Sequence, residues 1–266
     1  MLVLNTSALA VDLAAVAAEP PDVMVVDPPY RAHVHKSAVS QSIGGGSRSR
    51  DLGFDHLTVA LRQRIARFAA LTKRWSVIYT DLESMTWWRL SLQAAGATYI
   101  RAIPWVRWSM PQLSGDRPPT GCEMIIVAYG SGGGKKHWNG PGNLLSFEHT
   151  CLRGEGKHKT EKPLDQLLDL VSYFSDSGET VFDPCSGSGT PGLACKLLDR
   201  QFVGLEVDPA WATFANARLV RELTERDQTR LDRWLKGQEE QAADRARVEA
   251  HTAGVRAKAD AAKRVR

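Results

Sequence analysis

Apolar residues along the chain come in short blocks, and the spacing within each block predicts the backbone it adopts. Residues 2–4 and 23–26 are apolar without interruption, as fully buried strands are. The Ala-rich stretch 8–18 between them predicts a helix ended by Pro20 and Pro21. Leu57, Leu61, Ile65, Phe68 and Leu71 recur at helical spacing. They predict a helix over about 56–73, with Arg62, Arg64, Arg67, Lys73 and Arg74 on its solvated face. Strands are expected over 75–79, 97–106, 123–129, 180–183 and 202–207. Helices are expected over 83–95, 163–175 and 190–199, with Pro163 in a first-turn position. Trp87, Trp88 and Trp105 read as core residues. From Pro209 onward the composition is helical. Strands alternating with helices define an α/β fold with a mostly parallel, helix-covered sheet.

Three stretches lose this periodicity: 31–53, 107–121 and 130–160. The first, rich in Ser, Gly, Arg and His, predicts a mobile loop. The expected organisation is one catalytic domain over 1–236, with a recognition region embedded at about 107–157. A basic tail, helical or disordered, follows over 237–266.

Composition narrows the class. Of 266 residues, 43% are hydrophobic and 24% charged, which fits a globular chain and not a disordered one. The net charge of +4 permits a polyanionic partner without demanding one. The four cysteines, at 122, 151, 185 and 195, form no Cys-x-x-Cys pair, and no His cluster lies at zinc spacing. No metal is therefore expected, and a reducing, cytoplasmic setting is. No apolar run reaches ~18 residues, so no membrane association is expected.

Gly187-Ser188-Gly189-Thr190-Pro191-Gly192 follows a strand and opens a helix, and Glu206 closes the next strand. Glycines let backbone approach a ligand, and a carboxylate at the next strand tip accepts ribose hydroxyls. The pattern points to an adenosine-containing cofactor. Asp183, Pro184 and Cys185 precede the glycines. A carboxylate there repels a pyrophosphate and suits a cation, which favours S-adenosylmethionine over a dinucleotide.

Asp27-Pro28-Pro29-Tyr30 ends an apolar strand, at the edge where open α/β sheets bind ligands. An exocyclic base amine is a poor nucleophile because its lone pair is delocalised into the ring. A carboxylate and a carbonyl fixed by proline can accept its two hydrogens and direct the lone pair outward. Tyr30 offers a face on which a base can stack.

These segments resemble the β group of S-adenosylmethionine-dependent DNA amino-methyltransferases. The catalytic tetrapeptide comes first, a recognition region second and the cofactor motifs last, a circularly permuted order of a Rossmann-like fold. His158 to Pro163, Phe182 to Thr190 and Gly204 to Pro209 look like the family's cofactor motifs. The resemblance anchors about 1–30 and 155–220. It implies that Asp27, Pro28, Pro29 and Tyr30 hold the target amine. It further implies that Asp27, Thr160, Glu161, Lys162, Asp183, Pro184, Cys185, Ser186, Gly187, Ser188, Gly189, Thr190, Glu206, Val207 and Asp208 surround the cofactor. Relatives often carry Asp in the first strand–helix turn, where Thr6-Ser7 stands here; either Ser7 takes that place or adenine is recognised differently. Many also have Phe where Cys185 stands. A thiol nucleophile is not implied, because transfer in the family is direct.

The implied reaction is methylation of double-stranded DNA with base flipping and no metal. An initial Asp in the tetrapeptide favours adenine N6; cytosine N4 is the alternative. Methylation of RNA or of a protein amide is a more distant one. An NAD-linked oxidoreductase would explain the Gly turn but leave the tetrapeptide idle. Candidate DNA contacts are Arg31, His33, Lys36, Arg48, Arg50, Arg107, Arg117, Lys135, Lys136, His137, Trp138 and Asn139. The recognition region is short, and the resemblance implies a homodimer. Neither a target sequence nor a cognate nuclease is readable from the chain.

Overall fold

Eight strands form one sheet in the order β1-β10-β9-β2-β5-β7-β6-β8. They are β1 (Leu2–Asn5), β2 (Val23–Val26), β5 (Trp75–Thr80), β6 (Thr98–Trp108), β7 (Cys122–Tyr129), β8 (Phe147–Thr150), β9 (Thr180–Asp183) and β10 (Gln201–Glu206). The computed structural model describes residues 1–12, 19–32, 39–41, 47–49, 55–108, 121–142, 144–150 and 161–264. The first five strands in sheet order run parallel, whereas β7 is antiparallel to both β5 and β6. β8 pairs in parallel with β6. The Rossmann-like, mostly parallel sheet expected from the pattern is present.

The helices are α1 (Val59–Leu71), α2 (Met85–Ala94), α3 (Leu164–Phe174), α4 (Thr190–Leu197), α5 (Pro209–Val220) and α6 (Glu225–Arg264). Thr58 caps α1, its Oγ1 accepting the Leu61 N–H at 3.1 Å. Asp208 caps α5 in the same way, followed by Pro209 in the first turn. The α1 stripe buries Ile65 and Phe68 on Met24, Val26, Ile78, Ile126 and Phe182. Phe68 meets Phe182 edge-to-face at 5.4 Å. On the other face Trp75 meets Phe174 of α3 at 5.5 Å.

Several expectations change. Two short strands, β3 (Val39–Gln41) and β4 (Ser47–Ser49), pair antiparallel within the stretch expected to be a loop. Another, β8, lies within 130–160, and β6 continues to Trp108, so Arg107 and Trp108 belong to a strand. Residues 8–10 form a turn and not a helix, and 13–18 lie outside the described residues. Trp87 is 45% exposed, because it serves as a platform for Arg31 and Arg62 at 5.6 and 5.5 Å and not as core. Arg74 is buried, because it lies past the end of α1 and turns into an ion-pair cluster.

The chain divides into two compact units, Met1–Arg221 and Glu222–Arg266. The second holds α6, continuous through residue 236, where a tail was expected to begin. Thr224 and Asp227 bond reciprocally at its start.

Candidate active site

The parallel strands deliver their C-terminal ends to one edge of the sheet. β9 and β2 are neighbours there, with Met24 opposite Phe182. From β9 the chain continues to β10 on one side, and from β2 to β5 on the other. This is a topological switch point, where open α/β sheets leave a crevice. Asp183 closes β9 and Asp27 follows β2, so the two predicted motifs meet at the crevice.

The Gly-rich turn is shaped by its own backbone. Gly187 and Gly189 have φ of 50° and 73°, a left-handed region that favours glycine. A Cβ on Gly189 would also lie 2.9 Å from that of Ala215. Glu206 spans the turn: its Oε2 accepts the Gly187 N–H at 2.7 Å and its Oε1 the Asp208 N–H at 2.9 Å. Asp183 is 1% exposed and accepts the Cys185 N–H at 2.9 Å. Burial pushes its pKa well above the usual carboxylate range, the Cys185 N–H opposes this, and the charges of Asp27 and Glu206 push it further up. Burial, then Asp183, Glu206 and Asp27, likewise raise the Cys185 thiol well above its ordinary value. Cys185 is therefore held as a neutral thiol, a poor nucleophile.

Glu161 and Lys162 point to different places. Glu161 accepts from Thr190 Oγ1 at 2.9 Å and pairs with buried Arg218 at 2.8 Å, locking the start of α4 to α5. Lys162 enters the tetrapeptide. Its Nζ lies 2.9 Å from Asp27 Oδ1, 3.2 Å from Glu123 Oε2 and 3.4 Å from Tyr30 Oη. Tyr30 Oη also donates to Glu123 Oε2. The rings of Tyr79, Tyr30 and Trp105 surround the ammonium at 4.9, 5.3 and 5.5 Å. Burial alone lowers the Lys162 pKa, but Asp27 and Glu123 outweigh it, so the pKa is raised and the lysine is a cation.

Sequence reasoning missed Glu123, Tyr79 and Trp105. Glu123 is the one charged residue in the apolar block Cys122–Tyr129, and that was its signal. Because β7 is antiparallel, its first residues sit beside the last residues of β5, with Thr80 opposite Met124. Asn5 was missed too: its Nδ2 donates to the carbonyls of Glu206 and Val207, tying β1 to the end of β10. Ser7 Oγ accepts the Leu9 N–H in the turn beyond β1. Thr160 lies outside the described residues.

The expected DNA contacts separate. His33, Lys36, Arg50 and Arg117 lie outside the described residues; Arg48 is on β4 and Arg107 on β6. Arg31 stays at the site edge, paired with Asp81 at 3.1 Å and Glu83 at 2.5 Å. Residues 135–139 follow the end of β7, which delivers them to the opposite edge. Asn139 Nδ2 donates to the Ser175 carbonyl and to Asp176. Trp138 packs on Tyr173 and Phe174, and His137 meets Arg74 and Asp176. Lys136 lies over the Tyr129 ring at 4.6 Å, and Lys135 is exposed. His137, Trp138 and Asn139 pin this segment to the C-terminal end of α3.

Solved structures share this architecture. The M1.HpyAVI–SAM complex superposes with a TM-score of 0.61 at 24% identity, covering 83% of this chain and 99% of that one. The cytosine-N4-specific PvuII DNA methyltransferase superposes with a TM-score of 0.57 at 12% identity, covering 88% and 92%. The chain has the DNA-methyltransferase fold. Sequence comparison points the same way, since residues 135–217 match the N6/N4 DNA methylase family model. The type II methyltransferase M.XycI of Xanthomonas campestris pv. cyanopsidis is 30% identical over 151 residues, 50% of this chain and 48% of that protein. M2.MboI of Moraxella bovis is 44% identical over 52 residues, 20% of this chain and 19% of that protein. The chain thus spans about a fifth to a half of these curated relatives. The likeness to DNA methyltransferases read from the motifs is borne out. The sheet order also explains why the tetrapeptide and the Gly-rich turn, far apart in sequence, meet at one crevice.

Proposed function

We propose that the protein transfers a methyl group from S-adenosylmethionine to the N6 amine of adenine in double-stranded DNA. The observation that carries this is the adjacency of Asp27-Pro28-Pro29-Tyr30 and the Asp183–Gly189 turn at the switch point. The matched relatives are named as type II methyltransferases, and one solved neighbour is a complex with the cofactor.

The residues present fit such a cofactor. Asp27, Asp183 and Glu206 act on one another as like charges at one edge, and a ligand with a sulfonium and an ammonium relieves that repulsion. Asp183 and Glu206, with the left-handed Gly turn, form its cradle; Glu161 holds the turn in place through Thr190. S-adenosylmethionine supplies an electrophilic methyl. On the protein side, the Asp27 carboxylate and the Pro28 carbonyl accept the two amine hydrogens. Asp27 then stabilises the positive charge that grows on nitrogen as the N–C bond forms and the S–C bond breaks. One amine proton leaves through Asp27 to water. The target base must leave the duplex to reach this edge. Arg31 and the segments 107–121 and 130–157 are the proposed DNA side, and a homodimer is the proposed assembly. No helix among the described residues is long and apolar enough to cross a membrane.

Cytosine N4 is the second reading, favoured by the fold shared with a cytosine-N4-specific enzyme. Incubation with cofactor and unmethylated DNA, digestion and nucleoside mass spectrometry separate the two. N6-methyldeoxyadenosine is expected. N4-methyldeoxycytidine would reassign the base, and no methylated nucleoside would refute the proposal for DNA.

A further inference from the structure

Lys162 raises a chemical problem for the tetrapeptide. Its ammonium sits 2.9 Å from the carboxylate that must accept an amine and stabilise positive charge. A cation held on Asp27 competes with the substrate for the same oxygen and opposes the charge that develops there. Glu123 supplies the counterweight. It is 8% exposed, and its Oε2 binds both Lys162 and the Tyr30 hydroxyl. One ammonium therefore lies between two carboxylates, leaving the cluster with net charge −1 instead of zero.

We propose that Glu123 is a positioning residue: it draws Lys162 away from Asp27 when the target amine enters, and it anchors the Tyr30 ring through the hydroxyl. The proposal rests on the methyl-transfer reading of the site and names the device that frees the acceptor. With Glu123 present, the lysine keeps a partner when Asp27 turns to the amine, so the exchange leaves no buried charge unpaired. Without it, Lys162 has Asp27 alone as its anion, and substrate entry strands a buried ammonium.

Other groups around the lysine do not replace Glu123. Tyr30 and Tyr79 present rings and neutral hydroxyls, burial and then Asp27 pushing Tyr79 well above its ordinary value. Trp105 does not titrate. Asp183 on β9 and Asp169 on α3 act on Tyr79 through charge, and neither is bonded to Lys162 Nζ.

The test compares Glu123→Gln with the wild type and with the double variant Glu123→Gln/Lys162→Met. Folding and the cofactor half are checked by circular dichroism and by titration with S-adenosylhomocysteine, whose affinity should not change. At neutral pH, Glu123→Gln should lower kcat by about tenfold or more with little change in KM for the cofactor. Its kcat should then rise with pH on the alkaline side, at lower pH than any such rise in the wild type, as a lysine with one anion in place of two loses its proton more readily and releases Asp27. The wild type should stay flat over the range in which the variant rises. Removing the lysine as well should restore part of the lost rate; a merely structural Glu123 would give losses that add. Equal kcat and pH profiles for wild type and Glu123→Gln would overturn the proposal. So would further loss in the double variant. If the wild type methylates no nucleic acid, the methyl-transfer reading fails by itself. The Lys162 pKa, followed by NMR after isotopic reductive methylation, then still reports the device: it should fall in Glu123→Gln, and an unchanged value would overturn it.

Discussion

Two charge clusters sit at opposite edges of the same sheet, and they are built differently. At the edge where the parallel strands begin, Arg74 is 2% exposed and meets Glu179 at 2.5 Å and Asp176 at 3.0 Å. Glu179 also accepts the Asp176 N–H, and Asn139 and His137 complete the set. Burial raises the Asp176 pKa, but Asn139, His137 and Arg74 outweigh it and leave it lowered. At the edge where the strands end, Asp27 and Glu123 share Lys162, Asp183 and Glu206 add two carboxylates held by backbone N–H groups, and the Asp183 pKa is raised. The first cluster answers its charges with partners and closes a fold. The second holds excess negative charge that a cationic ligand can answer. A carboxylate cluster crowded enough to push a pKa up suits a ligand site, whereas one paired to an arginine so that a pKa is pulled down suits a structural joint.

The comparison can be broken at either edge. Arg74→Ala should cost about 3–5 kcal/mol, because it strands Glu179 without its cation. Thermal unfolding measures this, and cofactor affinity in the surviving folded fraction should be unchanged. Asp27→Ala should do the reverse. It should lower kcat by about 10²–10³-fold, or roughly 2.7–4 kcal/mol, with Tm near that of the wild type. Gly189→Ala comes next, at about 1–2 kcal/mol of stability, since it combines a left-handed φ with a 2.9 Å approach to Ala215. Cofactor affinity should fall with it.

The smallest effect has the opposite sign. Asp183 has a raised folded pKa, so ionising it costs the fold stability as pH rises through the unfolded value, and the cost is complete above the folded one. Asp183→Asn keeps the acceptor for the Cys185 N–H and removes the charge. It should raise stability by on the order of 1 kcal/mol, roughly 2–4 °C in Tm. The gain should vanish at pH below the ordinary carboxylate range, where wild-type Asp183 is protonated in both states. Melting curves across pH decide this.

Much of this contrast was legible in the sequence at one edge and little at the other. The tetrapeptide and the Gly turn are local: proline, glycine and carboxylates a few residues apart shape one stretch of backbone, so their spacing carries their geometry. The parallel sheet was legible because apolar blocks alternated with helical periods. Strand direction was not. No pattern in Cys122–Tyr129 shows that β7 runs antiparallel, yet that one fact brings Glu123 to the edge that carries the tetrapeptide and sends His137, Trp138 and Asn139 to the other. Basic and amide side chains in a Gly-rich stretch look alike whether they await DNA or hold a helix end. Likewise Lys162 follows Glu161 directly, but the two side chains leave the backbone on different sides, one to Arg218 and the other to Asp27.

Calorimetric titration with S-adenosylmethionine, applied to variants at both edges, tests the contrast most directly. Wild type and His137→Ala should bind alike, and Asp183→Ala and Glu206→Ala should bind at least about tenfold more weakly, about 1.4 kcal/mol each. Equal affinity in all four proteins, or a loss confined to His137→Ala, would contradict the assignment of the crowded carboxylate edge as the cofactor site.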